Sequence, residues 1–207
     1  MMLIPIVIQS YWYRYRLWKS FLIAFLIAIS GVIGTYTMFY IENHRWGGTS
    51  FFGGVFFVPL FFAGFSYLLK HPYNELMDLC APAGCMMLVV MKIQCLLSGC
   101  CGGRVLFTNE VGAEIRFPSQ AAELINGLIL AVLLMIIAYK AKNKGEIYPI
   151  FLLLYGTSRF ILNFFREEFV TTNMFVPYGT IWSIVSIAGG AMWIWLLRRS
   201  KTTETVE

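Results

Sequence analysis

The stretch SFLIAFLIAISGVIGTYTMFYI, Ser20 to Ile41, carries no charged residue and reaches the roughly 20 residues a helix needs to cross the hydrocarbon core of a bilayer. Two further charge-free runs, Trp46 to Leu69 and Phe169 to Leu197, are at least as long. Three more are broken by isolated polar groups: Leu76 to Gly99 holds Asp78 and Lys92, Gln120 to Tyr139 holds Glu123, and Ile147 to Phe165 holds Arg159. With 58% hydrophobic and 13% charged residues, the composition lies far from the soluble balance. These runs predict an all-α integral membrane protein, a bundle of about six transmembrane helices, with residues 1–207 forming a single membrane domain.

The opening MMLIPIVIQS is apolar but short, and its basic residues Arg14, Arg16 and Lys19 follow it, whereas a signal peptide carries them in front. It reads as part of an interfacial segment over residues 1–19. Six spans sort the basic residues onto two sides. One side takes Arg14, Arg16, Lys19, Lys70, Lys140, Lys142, Lys144, Arg198, Arg199 and Lys201, and the other only Arg45, Arg104, Arg116 and Arg166. The positive-inside rule then places both termini, including a tail over 198–207, in the cytoplasm. Anchoring at an anionic leaflet accounts for the net charge of +5. No basic stripe lies on a soluble face, so no nucleic-acid partner is expected. Between the third and fourth spans, on the outer side, GGRVLFTNEVGAEIRFPS mixes turn residues with short alternation and predicts a small loop or hairpin.

A charge at bilayer depth costs several kcal/mol unless it faces protein, water or a headgroup, so Lys92 and Arg159 are the first functional candidates. Each lies seven residues before the outer end of its span, about 10 Å below the surface, where the two can converge on one anion. Tyr155, Arg159, Asn163 and Arg166 recur at helical spacing and share one face. A guanidinium fork suits a phosphate, with the Tyr155 hydroxyl alongside. An anionic phospholipid is therefore the expected ligand. The competing reading is snorkelling, or an interhelical ion pair with Asp78 or Glu123. Gln120, Glu123 and Asn126 share a face at the start of the next-to-last broken span, where Glu123 either accepts a proton, orients a cation or simply caps a helix start. The glycine pairs Gly47–Gly48, Gly53–Gly54 and Gly102–Gly103, with Gly99, either bring backbone N–H groups to an anionic headgroup or serve close helix packing. Cys80, Cys85, Cys95, Cys100 and Cys101 have no metal-site spacing, and neither a metal nor a cofactor is expected. Adjacent Cys100 and Cys101 allow an alternative, a membrane thiol–disulfide protein.

Taken together, these segments resemble the phosphatidylglycerol–prolipoprotein diacylglyceryl transferases of bacterial lipoprotein synthesis. Arg45 to Val55, RWGGTSFFGGV, looks like that family's RGGMSFHGGL. Lys92 to Arg104 resembles its signature region GRIGNFINGExxGR, Phe117 to Glu123 its HPSQLYE, and Tyr155 to Phe160 with Arg166-Glu167 its YGxxRFxxExxRxP. The resemblance implies transfer of a diacylglyceryl group from phosphatidylglycerol, or a similar anionic phospholipid, to a preprolipoprotein lipobox cysteine, at the outer leaflet of the bacterial cytoplasmic membrane. It implies catalytic roles for Arg159, Tyr155, Lys92 and Glu123. Substrate contacts are implied for Gly47, Gly48, Gly53, Gly54, Gly99, Cys100, Cys101, Gly103, Arg104, Gln120, Asn163 and Arg166. The chain departs from the pattern at Phe52, Lys92, Cys95, Cys100 and Asn163, where the family has histidine, arginine, asparagine, glutamate and glutamate. Its first spanning helix also finds no counterpart here. An inactive phospholipid-binding relative is the alternative these departures raise.

Overall fold

The computed structural model describes residues 1–13, 16–99, 102–110, 112–141, 145–166 and 177–204. Arg14, Cys100, Cys101, Lys142, Lys144 and Glu167 lie outside the described residues. In chain order the elements are α1 (Leu3–Trp12), α2 (Leu17–Asn43), α3 (Phe51–Leu69), α4 (Tyr73–Ser98), β1 (Val105–Thr108), β2 (Glu114–Arg116), α5 (Ser119–Lys140), α6 (Ile147–Asn163) and α7 (Tyr178–Glu204).

The membrane bundle expected from hydropathy is the fold observed. Helices α2, α3, α4, α5 and the Tyr178–Ser200 part of α7 are long and apolar enough to span a bilayer. Helix α6, the sixth expected span, has 17 residues and so rises about 25 Å. It packs on α4, α5 and α7, and so protein shields much of its surface. The N-terminal segment forms α1, packed on α2 and α4, with Ile6 and Gln9 fully buried. Between α4 and α5, β1 and β2 form the predicted hairpin, pairing Val105 with Arg116 and Thr108 with Glu114.

With no water in the hydrocarbon core, each backbone group freed inside the bundle needs a protein partner. Pro59 has no N–H, so the Val55 carbonyl one turn earlier in α3 loses its helical donor. The Tyr148 hydroxyl of α6 donates to that carbonyl at 2.6 Å. The start of α6 is satisfied in the same way from another helix. Fully buried Asp78 on α4 accepts from the backbone N–H groups of Gly145 at 2.5 Å, Ile147 at 2.9 Å and Tyr148 at 3.4 Å, and from the Tyr13 hydroxyl at 3.2 Å. It is a helix cap supplied in trans, where the positive end of the α6 dipole favours a carboxylate. Helices α2 and α3 cross at Gly34 and Gly53. A Cβ on Gly53 would overlap the Gly34 carbonyl, and one on Gly34 would lie 2.6 Å from the Gly53 oxygen, so only glycine permits this backbone approach.

Candidate active site

Antiparallel packing brings the C-terminal ends of α2, α4 and α6 to the same end of the bundle as the N-terminal ends of α3, α5 and α7. Side chains from all six meet there around a cavity of about 350 Å³. Glu123, in the second turn of α5, is at its centre. Lys92 Nζ of α4 lies 2.8 Å from Glu123 Oε2, and Arg159 Nη1 of α6 lies 2.5 Å from the same oxygen. Arg166 Nη1 donates to Oε1 at 2.8 Å. Only 5% of the Glu123 side chain is exposed, against 10% for Lys92, 13% for Arg159 and 10% for Arg166. Three cations therefore share one carboxylate. Among the described residues the cluster sets three cations against one carboxylate, in a largely water-excluded place.

Arg166 lies beyond the end of α6, and its backbone is fixed by sheet-like pairing. Gly103 bridges it antiparallel, Arg104 N–H donates to the Phe165 carbonyl at 3.0 Å, and Phe117 N–H donates to the Arg104 carbonyl at 3.0 Å. A Cβ on Gly103 would overlap the Phe117 carbonyl, so this glycine admits a third strand-like segment beside Arg166. Tyr155, one turn before Arg159, also lines the cavity, with its ring centroid 5.1 Å from Phe51, 5.5 Å from Phe52 and 5.6 Å from Phe151. Arg159 Nε is buried with no hydrogen-bond partner among the described residues. A buried donor of that kind is costly unless something accepts from it.

The structure thus brings Lys92, Glu123, Tyr155, Arg159 and Arg166 to one cavity, and Cys95 lines it as well. The competing expectation of an interhelical ion pair is met at Glu123 and not at Asp78, which caps α6 at the opposite end of the bundle. Other residues predicted for the site lie elsewhere. Gly53 and Gly54 belong to the α2–α3 crossing, Gly48 packs under Phe39, Gly47 and Gly99 adopt left-handed backbone conformations in turns, and Gly103 serves the bridge to Arg166. Arg104 is exposed with its guanidinium 5.3 Å from the Phe165 ring. Gln120 and Asn163 do not line the cavity, and Asn163 is buried beside Gly179. Asn126 turns to Ser158 of α6 at 3.0 Å. Cavity residues that sequence reasoning missed are Glu42, Asn43, Thr49 and Ser50 at the rim and Met91 and Tyr178 on the walls. One signal was present for Glu42: an acid in the last turn of an apolar helix opposes the helix dipole.

The family model for prolipoprotein diacylglyceryl transferases matches residues 2–196. The chain belongs to that family. It is 29% identical over 169 residues to the phosphatidylglycerol–prolipoprotein diacylglyceryl transferase of Polaromonas naphthalenivorans, covering 76% of this chain and 62% of the relative. The enzyme of that name from Blochmanniella floridana is 29% identical over 207 residues, with 79% and 72% covered. Its counterpart in Aeromonas salmonicida is 30% identical over 159 residues, with 72% and 58% covered. The matched stretch of the chain thus spans between 58% and 72% of the length of these relatives. The helices and the bacterial relatives together describe a multi-pass bacterial membrane protein.

Proposed function

We propose that this chain, as one membrane domain, transfers a diacylglyceryl group from phosphatidylglycerol to a cysteine thiol of a prolipoprotein. The observation that carries the proposal is the surplus of cations around Glu123 inside a membrane bundle, a charge pattern that suits a phosphodiester headgroup. The names of the relatives supply the two substrates. The basic residues Arg16, Lys19, Lys70, Lys140, Arg198 and Arg199 gather at the end away from the cavity. This imbalance supports cytoplasmic termini and a cavity open to the outer leaflet of the cytoplasmic membrane.

In this reading Lys92, Arg159 and Arg166 hold the phosphate, and the unpartnered Arg159 Nε donates to one of its oxygens. The acceptor sulfur attacks the glyceryl carbon, a C–S bond forms as the C–O bond to phosphate breaks, and glycerol phosphate leaves with the bonding pair. The surplus positive charge stabilises that leaving group. Glu123 has three of its roughly four lone-pair directions filled by cations, which fits a role in positioning them. The thiol proton then passes to a phosphate oxygen, so that no imidazole is needed at the position of Phe52. Mass spectrometry of a lipobox peptide incubated with the protein and phosphatidylglycerol tests the reading. A diacylglyceryl mass increment that disappears in Arg159→Ala, with the variant still inserted, is expected. No increment with the wild-type protein, while phospholipid still binds, identifies a phospholipid-binding relative without transferase activity.

A further inference from the structure

One acidic side chain at the cavity rim is unexplained by a phosphate site. Glu42 lies in the last turn of α2, where the helix dipole disfavours a carboxylate, yet it lines the same cavity as the three cations. It is also held in place. The Ser50 hydroxyl donates to Glu42 Oε1 at 2.9 Å, and Ser50 is itself pinned to α2 by its N–H to the Thr35 carbonyl at 3.0 Å. Asn43 and Thr49 complete this rim. A carboxylate beside an anion site repels a bare phosphate, but it accepts strongly from hydroxyl donors.

We propose that the cavity is a two-part headgroup site, in which the cations bind phosphate and Glu42 binds the free hydroxyls of a phosphate-linked polyol. The ligand class is a phosphoglycerol headgroup, which carries an acidic phosphate at one end and vicinal O–H donors at the other. This rests on the phospholipid reading above. Glu42 is a specificity-determining residue, because its contribution depends on hydroxyls that lie away from the reacting bond.

The test is calorimetric binding of short-chain phosphatidylglycerol and phosphatidylpropanol, which share the phosphate and differ in the hydroxyls, to the whole protein in detergent. The wild-type protein should bind phosphatidylglycerol about tenfold or more tightly than phosphatidylpropanol, a range fitting hydrogen bonds to a charged group. Glu42→Ala should remove that preference by weakening phosphatidylglycerol alone. Glu42→Gln, which keeps an acceptor for Ser50, guards against loss of folding and should retain only part of the preference. If Glu42→Ala tightens both lipids equally, Glu42 is only a counter-ion to the cations, and the proposal is overturned. Equal wild-type affinities also overturn it while leaving the phosphate site standing. Failure of the wild-type protein to bind either lipid removes the underlying phospholipid reading as well.

Discussion

Replacing Glu123 by glutamine tests the charge cluster most directly. The change keeps the shape and removes the carboxylate that contacts Lys92, Arg159 and Arg166 together. Lys92 Nζ and Arg159 Nη1 lie 2.8 Å and 2.5 Å from one carboxylate oxygen, so they are no more than about 5.3 Å apart. At an effective dielectric of about 20, two unit charges at that separation repel by about 3 kcal/mol once the intervening anion is gone. Removing one partner of a buried ion pair costs about 3–5 kcal/mol. For a chain of this size that corresponds to a fall of about 6–20 °C in Tm. Tryptophan fluorescence during heating in a neutral detergent reads the shift. Phosphatidylglycerol added at saturation should restore more of the Tm in Glu123→Gln than it adds to the wild-type protein, because the lipid phosphate substitutes for the missing anion. A fall of less than about 2 °C, with no extra rescue by anionic lipid, would refute the reasoning that this carboxylate holds the cations together.

Tyr148→Phe leaves the Val55 carbonyl buried without a donor and should cost about 1–3 kcal/mol, read as earlier unfolding in mixed micelles. Gly53→Ala forces α2 and α3 apart and should destabilise by about 1–3 kcal/mol. Gly64→Ala in the same helix meets nothing within 4 Å and should not destabilise; equal loss in both would remove the argument from the crossing. His71, in the α3–α4 connection, accepts at Nε2 from Lys19 Nζ at 2.9 Å, and burial and the Lys19 charge lower its pKa from 6.5. The unfolded chain therefore takes up the proton first, so stability should fall as the pH drops below about 6.5 and level off once the folded form is also protonated. A His71→Ala variant should lose that part of the pH profile.

Hydropathy was sufficient for the bundle because a bilayer imposes a length and a composition on every span, and the hairpin followed from turn residues within one short segment. The pairing of Tyr155 and Arg159 on one face of α6 was legible for a similar reason, since their spacing is local, whereas Arg166, expected on the same helical face, lies beyond the end of α6 and Asn163 packs away from the cavity. Pairings between helices were not legible. Nothing near Asp78 in sequence indicates that it caps a helix starting almost seventy residues later, and it was an equal candidate with Glu123 as a partner for Arg159. The glycine pairs left packing and headgroup contact open, and the structure places Gly53 and Gly54 in a helix crossing, Gly48 under Phe39 and Gly103 in the bridge to Arg166. Glu42 was not singled out, although an acid in the last turn of a helix is unfavourable, because its relation to the cavity depends on how α2 lies against α4 and α6.

The sharing of one carboxylate by three helices also bears on how the chain enters the membrane during synthesis. Lys92 on α4 emerges before its counter-charge on α5, and Arg159 on α6 emerges after it. A cation costs a single helix up to about 2.5–3.5 kcal/mol on insertion, the full amount applying at the helix centre. Helix α4 therefore benefits from remaining beside the insertion machinery until α5 arrives, and α6 enters a membrane in which its partner is already present. Loss of Glu123 would thus be felt twice, once in the finished protein and once while α4 and α6 are choosing between the bilayer and water.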